Sequence, residues 1–160
     1  MASDIVLREV TEADLPTLFE HQRDPVANQM AAFPARDREA FMAHWTTKIL
    51  VNPTGIVRAI LWNGHLAGNV LSWEQAGERS IGYWLGRDYW GRGIATRAVS
   101  DFLQLLPTRP LHAQVAKHNR ASLRVLQKCG FTISGESRLP WGAPGESIED
   151  YALILAAPEQ

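Results

Sequence analysis

Between Ser80 and Thr96 the chain reads S-I-G-Y-W-L-G-R-D-Y-W-G-R-G-I-A-T: a strand-like apolar run, a polar turn and a glycine-rich helix opening. No other stretch restricts the fold so much. Gly91 and Gly93 remove Cβ atoms where backbone must come close to a partner. The helix that follows turns its unpaired N–H groups, and the positive end of its dipole, toward the same spot. Such a helix mouth binds a phosphate or pyrophosphate. The next strand-like run is Leu111–Ala116 (L-H-A-Q-V-A). Ile81 to Ala116 therefore reads strand–helix–strand, which requires a parallel pair and a right-handed crossover.

The rest of the chain supplies strands and helices to surround that unit. Ile5–Val10 is a first strand. A helix starts at an Asp14 N-cap, with Pro16 in its first turn, and runs to about Arg23, where Asp24-Pro25 ends it. Residues 26–36 read as irregular or partly helical. Asp37 to Leu50 carries apolar residues at helical spacing. Ile56–Trp62 and His65–Glu74 form a hairpin about Asn63-Gly64, with Gly68 at a bulge. Ser80–Leu85 completes a three-stranded meander. Gly93–Leu106 is a helix with one apolar stripe. Asn119 opens another helix, closed by Gly130. Phe131–Ser134 is a strand, Glu136–Ser147 a loop around Trp141, and Ile148–Ala156 a last strand closing the sheet. The expectation is one α+β domain over residues 1–160, with a mostly antiparallel mixed sheet of six to seven strands and about four helices.

Bulk properties narrow the function classes. The chain has 160 residues, enough for one domain with a core. Sixteen basic and 17 acidic residues leave a formal charge of −1, which argues against a non-specific nucleic-acid binder. A single cysteine, Cys129, fits a reducing compartment. The N-terminus lacks the pattern of a secretory leader, and no apolar run is long enough to span a bilayer. A cytoplasmic protein is the expectation.

Which phosphate ligand suits the turn can be tested by elimination. A Walker loop needs Gly-Lys-[Ser/Thr], which is missing. A dinucleotide fingerprint needs a third glycine where Thr96 stands, and an acidic residue that Leu111–His118 does not contain. Instead, Trp90-Gly91-Arg92-Gly93-Ile94-Ala95 resembles the coenzyme A pyrophosphate loop of the GNAT N-acetyltransferases. Asn119-Arg-Ala-Ser122-Leu-Arg-Val-Leu126-Gln-Lys128-Cys-Gly130-Phe131 is similar to their N-x-x-S…K-x-G-F helix. The run Tyr89–Thr96 most resembles the RimJ/RimL branch, whose members acetylate ribosomal-protein N-termini. Two departures stand out. Trp90 replaces the Gln or Arg of many members, and Leu126 occupies the place of their catalytic tyrosine.

The resemblance implies a GNAT fold with a splayed parallel pair, and acetyl-CoA as cosubstrate with no metal. The backbone of Gly91, Arg92, Gly93, Ile94, Ala95 and Thr96 would receive the pyrophosphate, with Arg92 adding charge. The pantetheine arm would lie along Trp84, Leu85 and Gly86, with Asn119 bonding it. An N–H near Leu85 would stabilise the oxyanion of the tetrahedral intermediate. Ser122 shares an inward helix face with Val125, Leu126 and Cys129 and needs a partner. That partner is the departing coenzyme thiolate or a carbonyl of its own helix. Cys129 has no histidine positioned to activate it and reads as core.

The acceptor is a primary amine, on a protein N-terminus or a small molecule; a homodimer is left open. A base must take the amine proton. Ser80 stands where many members carry their glutamate, so Glu74 is the first candidate, with His118, Glu149 and Asp150 behind it. As a bland alternative, Glu74 is a solvated strand end. The five histidines show no metal-ligand spacing. Two other functions fit the same turn: a non-catalytic acyl-CoA sensor, and a nucleotide-binding interaction module.

Overall fold

The computed structural model describes residues 4–157; residues 1–3 and 158–160 of the expected 1–160 domain lie outside it. The chain runs β1 (Ile5–Glu9), α1 (Leu15–Gln22), α2 (Pro25–Ala31), α3 (Arg38–His44), β2 (Ile56–Trp62), β3 (His65–Gln75), β4 (Glu78–Leu85), α4 (Ile94–Leu105), β5 (Leu111–Ala116), α5 (Arg120–Lys128), β6 (Thr132–Pro140) and β7 (Ser147–Leu155). The seven strands form one sheet in the order β1-β2-β3-β4-β5-β7-β6. Among the described residues only β4 and β5 pair in parallel. This is the expected α+β fold, with seven strands and five α-helices among the described residues.

Helices cover both faces. Ile94, Val99 and Phe102 of α4 and Leu126 of α5 pack with Ile81, Leu85, Leu111 and Leu153 on one face. On the other, Leu15, Leu18 and Phe19 of α1 meet Phe41 of α3 and Trp45. Phe41, Trp45, Phe102 and Leu153 are each at most 1% exposed, so both layers exclude water and supply the apolar driving force.

The segment after Asp24 is partly helical, as expected: α2 covers Pro25–Ala31, with Pro25 in its first turn and the Asp24 carboxylate accepting the Val26 N–H at 2.9 Å. Three other local expectations need correction. The single helix expected over Asp37–Leu50 widens into a π-turn at Trp45–Ile49, where the Thr46 hydroxyl bonds back to the Met42 carbonyl at 2.8 Å. The loop expected from Glu136 begins only after Pro140. β6 is an edge strand, mostly exposed on both faces, so it shows no alternation of apolar and polar residues. Its Pro140 falls at the last position, where proline is tolerated. Finally, β7 does not close the sheet but lies between β5 and β6.

An ion pair fixes the first crossover. Arg8 donates to the two Asp14 carboxylate oxygens at 2.7 and 2.8 Å, and the Thr11 N–H adds a third bond at 2.9 Å. Asp14 is 7% exposed. The Arg8 guanidinium holds the Asp14 carboxyl below its ordinary range. A depressed carboxylate stabilises the fold above its unfolded pKa, and that stability is lost as pH falls through the folded value. Asp14→Ala is expected to cost roughly 2 kcal/mol at pH 7 in urea unfolding, discounted because Arg8 is partly in water. The gap between wild type and variant should narrow below about pH 4.

Candidate active site

β4 and β5 pair only at Arg79–Leu111 and Ser80–His112. Beyond Ser80 the two strands part. On its other edge β4 stays paired with β3 as far as Leu85 opposite Gly68. The Gly86 N–H then donates to the Ala67 carbonyl at 2.9 Å. Antiparallel strands alternate hydrogen-bonded and non-hydrogen-bonded pairs. Trp84 thus bonds toward β3, while the backbone groups of Tyr83 and Leu85 face the opening gap. The Leu85 carbonyl accepts the Trp90 indole N–H at 3.1 Å, leaving the gap-facing N–H groups as donors.

This alternation corrects part of the expectation. Leu85 presents backbone to the gap, and Tyr83 joins it. Gly86 does not: its N–H is taken by Ala67 and its carbonyl by the Tyr89 N–H at 2.9 Å. Trp84 contributes a side chain instead. Its indole donates to the His21 carbonyl at 3.0 Å, and its ring meets Phe33 edge-on at 5.7 Å.

At the end of β4, Gly91 and Gly93 have φ of 74° and 76°, left-handed values that favour glycine. A Cβ on either would meet nothing within 4 Å. Gly93 is the N-cap of α4 and has no side chain to bond the first N–H groups. Ile94, Ala95 and Thr96 thus open the helix without a cap. This cradle suits a pyrophosphate on the chemistry of its donors alone. The Arg92 side chain folds back, with its guanidinium 5.1 Å above the Trp62 ring and bonded to the Asp88 carbonyl at 3.3 Å.

Across the gap, α5 begins at Asn119, whose side chain accepts the Ser122 N–H at 3.3 Å. The Ser122 hydroxyl accepts from the Tyr83 phenol at 2.9 Å and, among the described residues, makes no bond to a carbonyl of its own helix. Burial raises the Tyr83 pKa, so the phenol is protonated at neutral pH. Sequence reading missed Tyr83, because its place in an apolar strand looked like core. Cys129 donates to the Thr96 carbonyl at 3.6 Å, and burial pushes its thiol up, as befits a packing residue.

The base candidates separate. Glu74 does not converge with Ser122 and Leu85. It pairs with Arg79 at 3.6 Å, four residues back along β4 from Tyr83, about 13 Å at ~3.3 Å per residue. Glu149 is committed to Lys117 and Arg138, at 2.8 and 3.0 Å. His118 bonds the Gln29 carbonyl at 2.8 Å. Asp150 is different. It is 0% exposed, bonded through one oxygen to Ser137, and its Oδ2 has no partner among the described residues. Tyr151, Leu153 and Leu155 point to the α4–α5 face, so Asp150 points to the other. It pairs with Ala116, at the end of β5 and so on the far side of the gap from β4.

The gap is roofed on that other face. Trp141 donates to the Gln29 side chain at 3.0 Å. With His118, it ties α2 to the β5–β7 side. On the β4 side, Asp24 pairs with Arg87 at 3.0 Å. His21 lies against Gly86, where a Cβ would come 2.6 Å from its ring. Burial lowers the His21 pKa, so the imidazole is neutral at pH 7. Among the described residues no group of three or more His, Cys, Asp or Glu is placed to hold a metal ion, and no helix is long and apolar enough to cross a membrane.

A strand that leaves its parallel neighbour and ends in an uncapped glycine cradle places the molecule among proteins of acetyltransferase fold. The chain belongs to the acetyltransferase (GNAT) domain family, whose model matches residues 4–132. Solved structures agree on the fold. A spermidine N-acetyltransferase from Vibrio cholerae, in complex with CoA and spermine, superposes with a TM-score of 0.81 at 14% identity, covering 95% of each chain. A GNAT-family acetyltransferase from Bacillus anthracis gives 0.79 at 15% identity, over 95% of this chain and 94% of that one. An aminoglycoside acetyltransferase in complex with coenzyme A gives 0.76 at 18%, over 96% and 95%. In sequence, an uncharacterized N-acetyltransferase p20 of Bacillus licheniformis is 31% identical over 86 residues, 51% of this chain and 48% of that protein. The match thus spans about half the length of that relative.

Proposed function

We propose that this chain is a cytoplasmic, single-domain N-acetyltransferase of the RimJ/RimL type, moving an acetyl group from acetyl-CoA to a primary amine. The observation that carries the reading is the β4–β5 gap, set between the open α4 cradle and the first turn of α5. Gly91 to Thr96 hold the pyrophosphate through backbone N–H groups. The gap-facing backbone of Tyr83 and Leu85 takes the pantetheine arm, with Asn119 opposite. The same N–H groups stabilise the oxyanion when the amine attacks the thioester carbonyl. As the C–S bond breaks, sulfur keeps the electron pair and Ser122 donates a hydrogen bond to it. A thiolate leaves readily at pH 7, so positioning supplies much of the rate.

On the acceptor side we assign the amine to Asp150, in place of Glu74. A buried carboxylate with an unpartnered oxygen is costly unless a cation or donor meets it, and a protonated amine is both. Phe33 and Trp84 meet edge-on under the roof of the gap, where an aliphatic amine chain would find apolar contact. The acceptor is a protein N-terminus, as the RimJ/RimL resemblance suggests, or a small amine, the class taken by the spermidine and aminoglycoside acetyltransferases that share the fold.

Thermal shift with acetyl-CoA, NAD and ATP tests the coenzyme. A rise in Tm with acetyl-CoA alone is expected, and no response to it would sink the reading. A panel of amines then separates an enzyme from an acyl-CoA sensor. Asp150→Asn is expected to lower kcat/KM for the amine about 100-fold while leaving acetyl-CoA affinity unchanged. Unaltered kcat/KM would return the base to another residue.

A further inference from the structure

Many members of the family carry a tyrosine where this chain has Leu126, and Leu126 is 4% exposed in the core. A phenol nevertheless reaches the same helix from another element. Tyr83 lies in the strand that borders the gap, and its hydroxyl donates to the Ser122 oxygen at 2.9 Å. We propose that Tyr83 is a positioning residue that orients and polarises Ser122 toward the departing sulfur of an acyl thioester. The inference rests on the acetyl-transfer reading and goes beyond it by assigning a residue and a direction to one hydrogen-bond chain.

The Tyr83 phenol has the Ser122 hydroxyl as its one hydrogen-bond partner among the described residues, and that contact carries the argument. The Ser122 hydroxyl has one hydrogen to donate and accepts through lone pairs. With the Tyr83 phenol donating to its oxygen, the serine hydrogen is free. The Ser122 backbone is held too, since its N–H is bonded by the Asn119 side chain at 3.3 Å. In an ordinary helix a serine turns its hydrogen back to a carbonyl one turn earlier. The phenol biases Ser122 away from that resting place, and a donor into the oxygen strengthens the bond the serine gives. No proton need cross the pair. The carbonyl carbon gains the amine nitrogen, the C–S bond breaks, and the electron pair goes to sulfur under the serine hydrogen bond. The amine proton passes to the Asp150 carboxylate on the acceptor side.

Tyr83 also fills core beside Ile81, Leu85 and Cys129, so Tyr83→Phe, which keeps the ring, is the informative change. The assay follows thiol release from acetyl-CoA with an amine acceptor, and with water alone as a slow acceptor. Tyr83→Phe is expected to lower kcat about five- to tenfold, with KM for acetyl-CoA within about twofold of wild type. Ser122→Ala should lose at least as much, and adding Tyr83→Phe to Ser122→Ala should cost nothing further. Melting temperatures are measured on all three variants. A drop in Tm with kcat unchanged would reduce the pair to a structural bond and overturn the proposal. So would losses in kcat that multiply in the double variant. Wild-type protein that binds acetyl-CoA but releases no thiol, with amine or water, would overturn the transferase reading and this inference together; thiol release by wild type with an unaffected Tyr83→Phe would overturn this inference alone.

Discussion

Gly93→Val is expected to abolish acetyl-CoA binding while the protein stays folded. Gly93 has φ of 76°, and a β-branched residue there costs about 1–2 kcal/mol of backbone strain. A Cβ on Gly93 would meet nothing within 4 Å, so the protein itself presents no clash. The added side chain would instead occupy the space into which the first turn of α4 directs its N–H groups. Stability should fall by only a few degrees in Tm, about 2–4 °C per kcal/mol for a chain of this size. Affinity for acetyl-CoA, measured by calorimetry, should fall at least about 100-fold, or roughly 3 kcal/mol. Binding within threefold of wild type would mean that the phosphates bind elsewhere.

Gly68→Ala carries the largest expected effect on stability. Gly68 faces Leu85 across the β3–β4 ladder. A methyl group there would overlap the Trp84 carbonyl oxygen and lie 3.0 Å from the Leu85 Cα. Both are backbone atoms, so no side-chain rotation relieves the contact. The β2–β3 register shifts at the same place, Ile60 facing Gly68 and Leu61 facing Leu66. The bulge therefore falls at Ala67, one residue from where sequence placed it, and bends β3 against the end of β4. The substitution should cost roughly 3 kcal/mol, or about 6–12 °C of Tm. Because it displaces the Leu85 backbone, kcat should fall at least about tenfold well below the melting transition. A Tm within about 2 °C of wild type would contradict the packing described.

The two variants mark different degrees of legibility. Gly93 was readable because its requirement is local: a positive φ and an open helix mouth follow from the glycines and the apolar stripe after them. Asn119 as a cap and the Asn63-Gly64 hairpin were readable for the same reason. Gly68 was readable only as an irregularity, because what it must avoid is a carbonyl 16 residues away in sequence. Glu74 is set aside as the proposed base for a related reason. A strand-end carboxylate looks available in sequence, but it stands at the far end of the ladder, beside Arg79. β6 runs to Pro140, past its expected end, because an edge strand exposed on both faces shows no period.

What the sequence by itself determined is the order of elements, the glycine cradle and the inward serine of α5. Periodicity, turn chemistry and helix capping act over a few residues and leave their mark in composition. The tertiary structure alone decided which groups meet. Pairing with β3 sets which β4 residues turn backbone to the gap, admitting Tyr83 and Leu85 and excluding Gly86. Packing of β4 against α5 brings the Tyr83 phenol to Ser122. The insertion of β7 beside β5 sets Asp150 against Ala116, at the end of the strand that bounds the gap. Each of these meetings joins residues far apart in the chain, through strand register and layer packing, which no local pattern records.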